Sequence, residues 1–584
     1  MTETKPNLLP IIGGAAVVVA GGIGAYFFLN KPNILPTGSS TAGTLTVVPK
    51  RSLMAISMST DSAALSKIEQ FLSPETKKLY DKAIADAKKG MASSDFDYEK
   101  DVKPWIGKSV TIAILPSGKT ASLLPSKSQA AIQNRYVPMS DTGSIQFVQD
   151  KVAPKDTLKA KAEPNGLIVI EVKDKAGAEK FLTDKVKAKA GGKETQSDYK
   201  GVKITQYGEG AKAGKTAMVG DYLILSSREE DVKMAIDTFK GDASLASAAS
   251  ADDLKIQNPV VQFYIPNFGE SIVELAALNP EAQAFPPQTI NQLKQIKSVN
   301  MGFGIDDAGV RFKATGKFDP AAIAALKNSP NKVMSQIPAQ AFMVTTGFNI
   351  KNSWEQFVKS ADSTPEVKKG IDEVRAQLKS SPVPLDLDKD IFGWMDGEFA
   401  LASVSGKPEG ILAQSQGLAP LLLLQTTNRA AAESLFKKLD DFASKNGAKV
   451  SKKDVGGVSV TEWSAAGAGA IVAHGWSQKD TLFITASPIV SLFVPKPATA
   501  IDADPTFKSV VSSLPTNNVG YFYIDADRTW SIVQTFMSPT DKENTPPEAK
   551  ALIESIRGLA GTAVYPNADT AEVEVILALK KGGK

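Results

Sequence analysis

The chain has 584 residues, 42% hydrophobic and 22% charged, ordinary globular values that leave room for roughly four structural units at about 150 residues each. Its 67 Lys and Arg against 63 Asp and Glu leave a net charge of +4, too small and too dispersed to imply a nucleic-acid partner. There is no cysteine, which excludes disulfides, thiolate metal sites, iron–sulfur clusters and cysteine nucleophiles, and there is one histidine.

After a short tail, residues 1–7, an anchor is expected over residues 8–30. Its uncharged stretch, residues 8–29, reads "LLPIIGGAAVVVAGGIGAYFFL" and is long enough to cross a hydrocarbon core of about 30 Å. It exceeds the apolar run of about 7–15 residues found in a cleaved secretory signal, so an uncleaved single-pass anchor is the reading, with the bilayer as its partner. The tail is placed in the cytoplasm and the body outside, which suits a chain without thiols. Residues 31–44, "KPNILPTGSSTAGT", form a flexible tether.

The body reads as two tandem copies of one unit, residues 45–318 and 333–580. "TLTVVPKRSLMAISMST" and then "DYEKDVKPWIGKSVTIAIL" in the first copy correspond to "VMSQIPAQAFMVTTGFN" and "DLDKDIFGWMDGEFALASV" in the second. Pro49 and Pro338, Asp101 and Asp390, and Trp105 and Trp394 keep one constant offset. Farther on "YKGVKITQY" matches "VGGVSVTEW", and "NPVVQFYIPN" matches "NNVGYFYIDA", which aligns Phe263 with Phe522. The first copy carries an inserted loop at about 116–164. Each copy alternates strands with amphipathic helices, so the fold class is α+β, a mainly antiparallel sheet with covering helices. The clearest helix is "RAAAESLFKKLDDFASKNG", with Leu435, Phe436, Leu439 and Phe442 on one face and Gly447 as a stop. In the last strand Val573, Val575 and Leu577 face one way, and Glu572, Glu574 and Ile576 the other.

Candidate chemistry is sparse. Asp97, Glu99 and Asp101 align with Asp386, Asp388 and Asp390, and oxygen ligands at every second position suit calcium. The competing reading is a solvated turn whose carboxylates favour the start of the element carrying Trp105 and Trp394. An EF-hand is excluded, because Ile391 and Gly397 occupy its glycine and glutamate positions. The run from Gly208 to Thr216 resembles a phosphate loop but has Glu209 where glycine is required and joins two strands. His474 has Ser477 and Asp480 nearby without a nucleophile elbow and reads as a hairpin residue. Ser197 and Lys200 form an isolated S-x-x-K match, and Asp525 and Asp527 read as a helix start, their counterpart being Pro266, Asn267 and Phe268. No catalytic residue or cofactor is assigned.

The segments "VKDKAGAEKFL", "VGDYLILSSREEDVKMAID" and "LPTNNVGYFYID" resemble a bacterial protein family of unknown function that is frequent in cyanobacteria. The resemblance implies a membrane-tethered protein of the periplasm or thylakoid lumen, anchored in the plasma or thylakoid membrane, and supplies no substrate. Three functions are expected, in order: a non-enzymatic scaffold whose two lobes form a cleft for a protein partner, a carrier or chaperone for a lipid, pigment or other apolar ligand, and an extracytoplasmic hydrolase.

Overall fold

The computed structural model describes residues 42–60, 63–82, 97–116, 165–210, 213–248, 254–277, 287–324, 326–362, 365–465, 467 and 469–583. The expected anchor, the tether up to residue 41 and the insertion from 117 to 164 lie outside them. Among the described residues no helix is long and apolar enough to cross a membrane.

The chain is α+β and is organised on one antiparallel sheet of 20 strands. The first half supplies β1 (Met54–Ser59), β2 (Ile106–Leu115), β3 (Asn165–Val172), β4 (Glu194–Tyr199), β5 (Val202–Tyr207), β6 (Gly214–Val219), β7 (Tyr222–Ser226), β8 (Pro259–Ile265), β9 (Ile296–Ile305) and β10 (Gly309–Phe318). The second half supplies β11 (Ala341–Phe348), β12 (Glu398–Ser405), β13 (Leu418–Gln425), β14 (Lys449–Val455), β15 (Val458–Ala465), β16 (Gly469–Trp476), β17 (Thr481–Ala486), β18 (Tyr521–Asp525), β19 (Ile556–Asn567) and β20 (Thr570–Leu579).

In the first half the strands bond in the order β4, β5, β6, β7, β3, β2, β1, β8, β9, β10. The second half follows the same order, β14, β15, β16, β17, β13, β12, β11, β18, β19, β20. The two series meet where β10 pairs antiparallel with β20, so the halves share backbone hydrogen bonds instead of facing each other as separate lobes. A cavity at this seam, lined by Lys313 and Glu574 among others, measures about 90 Å³, too small for a protein segment.

Side chains alternate across a strand, so each half has two sheet faces to cover. On one face Ala55, Ala113, Leu167, Val169, Ile224 and Tyr264 form a buried core in the first half. Val344, Ala402, Leu421, Tyr523, Ala560 and Ile576 do so in the second. On the opposite face the outer strands are covered by helices in both halves. Trp105 packs with Ala178 and Leu182 in one, and Trp394 with Ala432, Leu435 and Phe436 in the other.

The helix Arg429–Lys445 shows why. The Asn428 side chain accepts from the backbone N–H of Ala431 at its start, and Ala432, Leu435 and Phe436 recur at helical spacing and are buried. Gly447 follows with φ +88°, a left-handed conformation in which glycine is unstrained. Phe442, read as part of the inward face, is 36% exposed and stands outside the cluster that holds Leu435, Phe436 and Leu439.

Candidate functional site: an open sheet face and an adjoining cleft

The opposite face of the central strands differs between the halves. In the first, Phe263, Ile265, Ile296, Val299 and Met301 pack with Phe268 and Ile272 of the helix Phe268–Ala277 and with Leu293 of the helix Pro287–Leu293. Among the described residues the second half has no matching cluster. There Thr345 of β11 lies between Leu401 of β12 and Phe522 of β18 in register, and Met343 lies between Ser403 and Ile524. Directly opposed residues share a face, so Met343, Leu401 and Phe522 form one surface.

They are 37%, 53% and 39% exposed, whereas Phe263, aligned with Phe522, is 7% exposed. The helix that follows β18, Ala526–Phe536, buries the indole nitrogen of Trp530 and leaves Val533 and Phe536 exposed. The helices Ala526–Phe536 and Pro547–Glu554 pack on β19, and the first also reaches β11 and β18, yet Met343, Leu401 and Phe522 stay exposed in the middle of the sheet, which makes this apolar cluster a candidate binding surface.

One end of this face opens into a cleft of about 580 Å³ lined by Ala339, Gln340, Ser405, Thr499, Asp504, Arg528, Ser531 and Ile532. Arg528 is held from all sides. Its Nη2 donates to Asp504 Oδ2 at 2.9 Å, Nε lies 3.4 Å from Asp525 Oδ2, and Nη1 donates to the carbonyls of Ala339 and Ala341. Both carboxylates also cap helices, Asp504 accepting from Phe507 N at 3.0 Å and Asp525 from Arg528 N at 2.9 Å. Burial pushes the Asp525 carboxyl up, against the pull of Arg528, and burial together with Asp525 and Asp504 pushes the Tyr523 phenol far up.

The acidic runs of the sequence occupy equivalent places and hold local structure. Asp97 Oδ1 accepts from the backbone N–H groups of Glu99 and Lys100, and Asp386 Oδ1 from those of Asp388 and Lys389. Asp101 Oδ2 accepts from Asp97 N, and Asp390 Oδ2 from Asp386 N, each at 2.9 Å. The two turns so closed, Tyr98–Val102 and Leu387–Phe392, are π-helical, and in each an indole N–H, from Trp105 or Trp394, reaches the carbonyl of Asp101 or Asp390. Lys185 pairs with Asp101, Lys438 with Asp390 and Lys103 with Glu99. Asp388 receives Arg375 through two nitrogens at 2.9 Å each and Trp354 Nε1 at 2.7 Å. Among the described residues no three acidic or histidine side chains are placed to hold a metal ion, and these carboxylates are engaged as caps and ion-pair partners.

His474, read as a hairpin residue, stands inside β16 and is buried, because β15, β17 and the helix Arg429–Lys445 enclose it. Its Nε2 is 2.8 Å from Asp440 Oδ1, and its ring packs on Phe436 and edge-on to Trp463. Ser477 instead donates to Gln336, and Asp480 accepts from Thr481. Ser197 lies in β4, and Lys200 pairs with Asp237 at 2.6 Å. The segment from Gly208 joins β5 to β6, with residues 211 and 212 outside the described set. Asp525 caps Ala526–Phe536 as read, and Asp527 pairs with Lys580.

These observations define an α+β protein built on one long antiparallel sheet with an open apolar face on its second half. The chain belongs to a family of proteins of unknown function, DUF3352, whose model matches residues 11–579. Among solved structures it is similar to TP0453. Crystal form IV shows 9% identity over 49% of this chain and 85% of that one, with a TM-score of 0.22. Crystal form III shows 9% identity over 48% and 86%, with a TM-score of 0.23. Comparison with curated proteins finds no match.

Proposed function

We propose that this protein is a membrane-tethered, non-enzymatic binding protein that receives the apolar chain of a lipid or similar ligand on the open face of its second half. One observation carries the reading: Met343, Leu401 and Phe522 share one sheet face and are exposed, whereas Phe263, the first-half counterpart of Phe522, is buried in the cluster beneath two helices. Covering them contributes about 4–6 kcal/mol at about 25 cal/mol per Å². The uncharged stretch 8–29 supports the tether, and residues 31–41 span at most about 40 Å before the helix Ala42–Leu45 joins the body, which keeps it close to the bilayer that supplies such a ligand. The common strand order and the aligned tryptophans support descent of the two halves from one duplicated unit, in which the second copy leaves part of its central face exposed. The body is assigned to the periplasm or thylakoid lumen.

The test is extraction and mass spectrometry of the full-length protein purified from membranes in mild detergent. The wild type should carry about one bound amphiphile per chain, and Met343→Ser/Leu401→Ser/Phe522→Ser should carry none while unfolding at the same temperature. Equal lipid on both would contradict the assignment of the face.

A further inference from the structure

We propose that the cleft beside Arg528 receives an uncharged, hydroxyl-bearing headgroup, so that the lipid bound on the open face is a glycolipid; this rests on the binding reading above. The geometry joins the two regions. Ser405, Ser403 and Leu401 are alternate residues of β12 and lie on one face, so a ligand that starts in the cleft at Ser405 reaches Leu401 within about 13 Å and then Phe522 beyond Thr345. That is the order of an amphiphile, polar at one end and apolar along the rest. The cleft volume of about 580 Å³ falls within the range of small-molecule sites, about 300–1,000 Å³.

The chemistry of the lining selects the headgroup. Arg528 is the cationic side chain of the cleft, and its nitrogens already face Asp504, Asp525 and two backbone carbonyls. Asp504 in the lining and Asp525 behind it already pair with the guanidinium, so no unpaired positive charge faces the cleft, which disfavours a phosphate or sulfate. Those carboxylates are 8% and 2% exposed and are turned to their helix N-termini and to Arg528, so they offer little to an ammonium. What remains facing the cleft is neutral: the amide of Gln340 and the hydroxyls of Ser405, Thr499 and Ser531, none of which is hydrogen-bonded through its side chain among the described residues. Each can both donate and accept, which is the requirement for recognising sugar hydroxyls. Ile532 lines the same cleft and supplies an apolar contact where head meets chain.

The experiment uses the full chain in phosphatidylcholine nanodiscs and four photoreactive hexadecyl probes, carrying a glucosyl, a phosphate, a trimethylammonium or no headgroup, with labelled peptides mapped by mass spectrometry. The glucosyl probe should label β11, β12 and β18 about tenfold more than the phosphate probe, the scale of two or three added hydrogen bonds. Gln340→Ala/Ser531→Ala, at two exposed positions, should lower glucosyl labelling to the level of the headless probe and leave headless labelling unchanged. Labelling without headgroup preference, a preference for phosphate or ammonium, or a glucosyl preference that survives the double substitution overturns this inference and leaves the binding reading standing. Displacement of the glucosyl probe by free glucose alone would assign the cleft to a soluble sugar and overturn it too. No labelling by any probe overturns both.

Discussion

Lys313 Nζ lies 3.0 Å from Glu574 Oε2, directly opposite it in register across the seam between the halves. Each is the fifth residue of its ten-residue strand, and the pairing runs symmetrically about them, Gly309 facing Ala578 at one end and Lys317 facing Thr570 at the other. The two residues that mark this approximate twofold axis thus carry opposite charges where an exact repeat would place like charges face to face. Glu574 also receives Arg311, whose Nε is 2.5 Å from Asp306 and whose Nη2 is 2.7 Å from Ser513.

Glu574→Gln should cost about 2–4 kcal/mol, because it strips a carboxylate from the buried Arg311, while the more exposed Lys313→Met should cost at most about 1 kcal/mol. A double-mutant cycle by denaturant unfolding should return a coupling of about 0.5–1.5 kcal/mol. A loss below about 0.5 kcal/mol for Glu574→Gln would show that the seam does not depend on this network.

The hydrogen bonds from Arg375 and Trp354 hold the Asp388 carboxyl below the usual carboxylate range. A lowered folded-state value means a contribution present above the unfolded value and lost as pH falls through the folded one. Asp388→Asn should therefore cost about 1 kcal/mol at pH 7, a figure discounted for the partial exposure of the pair, and the gap from wild type should close as the solution is acidified below the ordinary carboxylate range. A gap independent of pH would contradict the ion pair.

His474→Ala should destabilise the second half by about 2–4 kcal/mol in thermal unfolding, since it empties a buried site against Phe436 and removes one partner of Asp440. Ligand binding to the folded protein should be unchanged, because β16 lies outside the open face. Lost binding without lost stability would give this histidine a direct role.

The helix Arg429–Lys445 and the paired turns at Trp105 and Trp394 were legible because capping residues and helical spacing are local signals. The last strand was legible as an alternation, but not which side was deeper. Ile576, placed with Glu572 and Glu574, is fully buried, while Val575 and Leu577 are half-buried, because both sheet faces carry apolar residues. The open face was invisible for the same reason. Met343, Leu401 and Phe522 are apolar at alternating positions whether or not a helix lies on them, and only the register across three strands brings them together. Likewise Arg528 meets Asp504 and the carbonyl of Ala339 from distant parts of the chain, with no spacing to announce it.

The open face can be tested directly because the chain has no cysteine, so a single introduced thiol labels one position. In the full-length protein, Leu401→Cys carrying an environment-sensitive naphthyl dye should shift its emission to the blue when glycolipid is added to phosphatidylcholine nanodiscs, and the same dye on Lys203→Cys, an exposed position of β5, should not respond. A blue shift at position 401 alone is expected of an amphiphile seated on the open face. No shift there, or an equal shift at both positions, would contradict that seating.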